Sequence, residues 1–199
     1  DVNNINFRGP AEKNPPYAKM KRVAEDVARE VFRAHNKIKY FDWVPLKAVA
    51  EDLTLEVRKP GREMIDYAKN ILAKPDDAEQ YHRLEKIYAG WMFEMLEWPD
   101  ETDVLIQAFR IGDLGIAAIP FEVFAETGLE IKSKSPFDKT FTIELANGWY
   151  GYLPTPDQHE LGGYETWPGS NRVEIDASVK IVNKVMSLFK ELNEVVTAE

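Results

Sequence analysis

The chain has 199 residues, with 34 acidic against 25 basic side chains, a formal net charge of −9, 44% hydrophobic residues and no cysteine. That length supports one large domain or two small ones, with a core that needs no covalent staple. No block of lysine and arginine exceeds two residues, so a basic face for nucleic acid or an anionic membrane is not expected. The missing cysteines exclude disulfides, thiolate zinc clusters and a cysteine nucleophile, and no apolar run reaches the length of a membrane span.

The opening Asp1-Val2-Asn3-Asn4 reads like the interior of a longer polypeptide, and residues 1–16, broken by Gly9-Pro10 and Asn14-Pro15-Pro16, are expected to be irregular. A helix follows. Met20, Val23, Val27, Val31 and Phe32 recur at the spacing of one buried face, with Lys21, Glu25 and Arg29 turned outward. The pattern over 38–49 is mixed, whereas Leu53, Leu55 and Val57 alternate with polar residues as a half-buried strand does, until Pro60-Gly61 stops it. Two helices are expected over 62–73 and 77–97, separated by Pro75 and ended by Pro99. The Tyr81, Tyr88, Trp91, Met92 and Met95 stripe on the second could line a lipid groove, although core packing demands the same spacing.

Residues 103–119 read as a hairpin turning at Gly112-Asp113, with apolar residues at both parities, so these strands should be central and covered on both faces. Pro120-Phe121-Glu122 should then convert strand to helix, Phe141, Ile143 and Leu145 form another strand, and Asp176 starts a last helix bearing Ile181, Val185 and Phe189. The class is α/β, a mixed sheet with flanking helices.

Between the last strand and the last helix, the stretch from Asn147 to Trp167 sets Trp149, Tyr150, Tyr152, Tyr164 and Trp167 among four glycines and two prolines. Glycine and proline interrupt both helix and ladder, so this is a shaped loop, either a binding surface or a satellite cluster of packed rings. Glu122, at the strand-to-helix junction, sits where free amides favour an ionised carboxylate; it is a candidate metal ligand, with helix-start electrostatics as the plain alternative. Tyr152 and Tyr164 could bring their hydroxyls to the same sheet edge. His35, His82 and His159 form no pair at zinc-ligand spacing, although His159 on the aromatic loop could be a ligand or proton carrier. No glycine-rich phosphate loop and no G-x-S-x-G elbow appears.

The run I-G-D-L-G-I-A-A-I-P-F-E-V-F-A-E-T-G-L-E-I-K, then S-P-F, L-A-N-G-W-Y-G-Y-L-P-T and G-G-Y-E, resembles the neutral/alkaline non-lysosomal ceramidase family, in the C-terminal half of its catalytic domain. The match is strongest from Ile111 to Thr166. The resemblance implies that residues 1–199 are the C-terminal segment of a ceramidase-like catalytic domain, a partial domain of a larger fold. It implies a zinc amidase that cleaves the N-acyl bond of ceramide-like lipids, secreted or periplasmic, with histidine ligands supplied upstream of Asp1 by the N-terminal half of the domain. By motif it implies Glu122 and Tyr152 as metal ligands and Tyr164 as a catalytic oxyanion donor; Trp149, Tyr150 and Trp167, large rings on the same loop, are the candidate substrate-binding residues. With its histidine ligands upstream this segment holds half a zinc site and should be inactive alone, and because Asn3 stands where the family carries its catalytic serine, and Phe121 where a small residue is common, ceramide itself need not be the substrate. Two other readings use the same loop. One is a carbohydrate- or lipid-binding module with Trp149, Tyr150, Tyr152 and Trp167 as a stacking platform; the other is a glycoside hydrolase pairing Glu122 with Asp157 or Glu165.

Overall fold

A computed structural model describes residues 12–194, in two units that divide at the Val44–Pro45 bond; Asn3 and the rest of the opening motif lie outside the described residues. Among its described residues the first unit holds one helix, α1 (Ala18–His35), followed by an irregular tail. Its apolar stripe was expected to be buried, yet no residue of α1 is buried, and Met20, Val27 and Val31 are all well exposed. No other described element of that unit covers the face. Pairs such as Arg29–Asp26 at 3.2 Å and Lys21–Glu25 at 3.8 Å add only about 0.2–0.5 kcal/mol each.

The second unit is a mixed α/β fold. Its four-stranded sheet has the order β1 (Leu46–Glu56), β2 (Glu101–Ile111), β3 (Leu114–Ala118) and β5 (Lys139–Ile143). The β1–β2 and β2–β3 pairs are antiparallel, and the hairpin turns at Gly112, whose φ of 61° suits glycine. β3 and β5 are parallel, which requires a crossover, and α4 (Ala125–Lys134) supplies it. β1 begins earlier than expected because its first half is an edge whose Lys47, Glu51 and Asp52 blur the alternation.

One face of the sheet carries the core. Leu55, Val104, Ile106, Ala108 and Ala117 pack against Ile181, Val182, Val185, Leu188 and Phe189 of α6 (Ala177–Asn193). Each such side chain contributes about 1.5–3 kcal/mol when fully buried. Full coverage of both faces does not hold. On the other face Leu46 pairs with Ile111, and Ile116 lies between Phe109 and Phe141, giving an apolar surface on which Leu46, Ile111, Phe141 and Ile143 stay substantially exposed.

α2 (Arg62–Leu72) and α3 (Glu85–Glu97) form a satellite pair around Ala68, Ile71, Ala89 and Met92. Helix was expected from residue 77, but it starts at Glu85. The intervening amides are held by side chains instead: Tyr81 N donates to the buried Glu85 carboxylate at 3.0 Å, and Leu84 N to His82 Nδ1 at 3.2 Å. Lys59 Nζ caps the far end of α3 by donating to the carbonyls of Met95, Leu96 and Trp98. No described helix is long and apolar enough to cross a membrane.

Beyond β3 the chain enters a second, two-stranded parallel ribbon, β4 (Glu122–Val123) with β6 (Tyr152–Leu153). Glu122 is therefore a strand residue. The first turn of α4 belongs to Glu126, so the expected helix-start environment does not act on Glu122. Gly151 makes the ribbon possible: its φ is 87°, and a Cβ there would stand 2.3 Å from Ser170 O. Gly151→Ala is expected to cost about 1–3 kcal/mol through backbone strain alone, and more through the clash. A urea midpoint unchanged from the parent would refute this account of the ribbon.

Candidate functional site

The ribbon is stitched to its neighbours by main-chain bonds. Ile119 N donates to Ile143 O, Leu145 N to Phe121 O, Tyr150 N to Pro120 O and Glu122 N to Gly151 O, each at 3.0 Å. Alternation along this stretch sends Phe121 into the core, fully buried, and turns Glu122 the other way, half-buried. Glu122 and Tyr152 are aligned partners across the parallel pair. Their side chains thus leave one face of the ribbon, from strands about 4.8 Å apart.

Two further residues close the group. Trp149 Nε1 donates to Glu122 Oε1 at 3.1 Å, and the hydroxyls of Tyr152 and Tyr164 lie 3.1 Å apart, with their rings edge to face at 5.4 Å. Tyr164 is held in a 3₁₀ turn (Tyr164–Thr166) that follows two glycines of positive φ, Gly162 and Gly163. The Tyr152 phenol is driven well above the ordinary tyrosine range, first by burial, then by its bond to Tyr164 and by the nearby Glu122 carboxylate. The Glu122 carboxylate, the neutral Tyr152 phenol beside it and a second phenol at hydrogen-bond distance make a compact oxygen-rich corner. Trp149 and Tyr164, each about half exposed, form its rim.

Hard oxygen donors on aligned partners are chemically suited to a divalent cation, whose charge would offset the repulsion between Glu122 and an ionised Tyr152. They are only two donors. Among the described residues, no three of His, Cys, Asp or Glu gather to hold a metal.

The remaining rings of the loop go elsewhere. Tyr150 packs on Phe121 at 5.6 Å and its hydroxyl reaches Asp103 O at 3.3 Å. Trp167 stands edge-on to Tyr88 at 4.8 Å and lines an apolar cavity of about 680 Å³ between α2 and α3, with Met64, Tyr67 and Met92. Trp149, Tyr150 and Trp167 thus make no ring contact with one another, and the three do not form one platform. Asp157 is exposed in the first turn of α5 (Pro156–Leu161), and the Glu165 carboxylate folds back over Gly163, so neither acid is set against Glu122.

Three residues that sequence reasoning passed over support Tyr152. Its amide donates to Ser170 O at 2.8 Å, its carbonyl accepts from Asn171 Nδ2 at 3.2 Å, and Arg58 Nη1 ties Asn171 Oδ1 at 3.3 Å to Thr166 O at 2.6 Å. The Ser170-Asn171 pair just after Pro168-Gly169 was the available signal, a polar turn sequence that here is almost wholly buried.

No family model and no curated protein matches this chain. Four solved chains match it, among them two ceramidase structures that are similar to part of it. One is described as ceramidase complexed with C2, at 22% identity over 47% of this chain and 15% of that one, with a TM-score of 0.43. The other is neutral ceramidase from Pseudomonas aeruginosa, at 22% identity over 49% of this chain and 17% of that one, with a TM-score of 0.39. The chain therefore spans well under a fifth of the length of either.

His159, on α5, is part-buried rather than solvent-facing. Its Nε2 is sealed without a partner, and burial, followed by the positive charge of Arg58, lowers its pKa to about 4. Unfolding restores a pKa near 6.5. The unfolded chain therefore binds more protons between those values, so the stability from neutral His159 is complete above about pH 6.5 and is lost as pH falls toward 4. His159→Gln should flatten urea-unfolding stability against pH in that window, and an unaltered slope would remove His159 as the cause.

Proposed function

We propose that this chain is one part of a zinc-dependent amide hydrolase acting on N-acyl, ceramide-like lipids, with Glu122 and Tyr152 as two of the metal's ligands and Tyr164 as the oxyanion donor. The observation that carries the reading is the strand pairing of Glu122 with Tyr152, completed by the Tyr164 hydroxyl 3.1 Å from that of Tyr152. Zinc bound there would polarise the amide carbonyl and activate water.

The protein's own residues do the rest. Trp149 donates to Glu122 Oε1, and the Tyr152 hydroxyl is the carboxylate's other close partner. The frame of Arg58, Ser170 and Asn171 fixes the Tyr152 backbone, and the Tyr152 hydroxyl in turn orients Tyr164 toward developing negative charge. Histidine ligands come, in this reading, from the N-terminal half of the same domain. The exposed apolar sheet face around Phe109, Ile116 and Phe141 is a surface against which another layer can pack.

The protein carrying that N-terminal half should hold zinc, and Glu122→Ala should lower its zinc affinity by more than the ~10–100-fold typical of losing a supporting residue. Unchanged zinc content by elemental analysis would eliminate Glu122 as a ligand.

A second reading, a metal-free lipid-binding module, has the α2–α3 cavity in its favour, because an apolar volume of about 680 Å³ floored by Met64 and Met92 suits an alkyl chain better than a sugar. Alkyl chains carrying a bromine quencher should then quench tryptophan fluorescence in the metal-free protein, with the response lost in Trp167→Leu. Quenching that persists in Trp167→Leu would dismiss this use of the cavity.

A further inference from the structure

Trp149 is held from two directions. On one side its Nε1 donates to Glu122; across its ring face lies the Arg172 guanidinium, with Cζ 4.4 Å from the ring centroid. The same guanidinium lies 4.8 Å from the ring centroid of Trp98, at the end of α3, and its Nε donates to Gly169 O at 3.2 Å. Tryptophan faces attract guanidinium more strongly than other rings do, and the attraction grows where water is excluded. Arg172 is half-buried.

The indole is about half exposed, on a loop that carries Gly148 beside it. A cation on its face also draws electron density from the ring, which makes the N–H a stronger donor to the carboxylate. We propose that Arg172, gripped by Trp98 and Trp149, is a positioning residue that fixes the Trp149 indole and through it the orientation of the Glu122 carboxylate. What Glu122 then does rests on the reading above; the positioning itself does not.

The test uses the indole N–H signal of Trp149 in the metal-free protein, assigned by its loss in Trp149→Phe. Arg172→Gln is expected to shift that signal upfield and to speed its exchange with solvent about tenfold, the factor corresponding to ~1.4 kcal/mol. Arg172→Lys, which keeps the charge but loses the plane, should fall between. Trp98→Leu removes the other wall and should loosen the same signal, and it decides the matter if Arg172→Gln does not fold. The Trp167 indole, on the α2–α3 cavity, serves as the control and should stay in place; Trp91, which borders Arg172 and Gly169, does not. An unmoved Trp149 signal in the folded variants overturns the proposal, as does a collective shift of all the indoles, which would mark Arg172 as merely structural. Zinc content plays no part in these readouts, so failure of the metal reading would leave their outcome intact.

Discussion

The candidate site depends on a parallel ribbon only two residues long. A pair that short has no independent stability, because the main-chain order it requires costs about 1–2 kcal/mol per residue and a single rung returns little of that. It persists because both strands are anchored in the core: Phe121 and Val123 flank Glu122, Leu153 follows Tyr152, and all three are buried with the α6 residues. The core therefore sets where the carboxylate and the phenol stand, and the loop between them need only close the distance.

Closing it requires unusual backbone. Leu145 and Asn147 adopt positive φ without being glycine, and Gly151 does so against a carbonyl that leaves no room for a Cβ. Such conformations cost of order 1–3 kcal/mol each for a residue with a side chain and survive only where surrounding contacts fix them. Here those contacts are visible as the bonds from Leu145 N to Phe121 O and from Tyr150 N to Pro120 O. Strain, stitching and the site's aromatic rim lie within one short stretch, which places the least relaxed part of the loop beside its most polar corner.

Much of the scaffold was legible because hydrophobic period reports burial. The hairpin around Gly112-Asp113 and the inward face of α6 follow directly from spacing. Spacing failed where burial came from elsewhere or not at all. The α1 stripe has a helical period but no described element of its unit covers it, and Phe141 and Ile143 alternate like a buried strand while their neighbour Thr140 takes the inner face. In the site, Glu122, Tyr152 and Tyr164 could be nominated from motif and loop composition, because their residue types carry the chemistry. Arg58, Asn171 and Arg172 could not. Their roles come from contacts made across 108 and 113 positions for Arg58, and from a stack between Trp98 and Trp149 that no local pattern encodes.

The aromatic loop also shows how one composition serves several environments. Tyr150 closes the edge of the core, Trp167 walls the α2–α3 cavity, and Trp149 spans the gap between a carboxylate and a guanidinium. Only the last arrangement uses both properties of the indole at once, its N–H toward negative charge and its face toward positive charge. Opposite charges on the two sides of one ring polarise it in the same sense, so each contact strengthens the other. The indole N–H, a neutral donor, thereby orients the Glu122 carboxylate without pairing its charge. A salt bridge from Arg172 made directly to Glu122 would have satisfied that charge; with the indole interposed, the charge remains for whatever approaches from the rim.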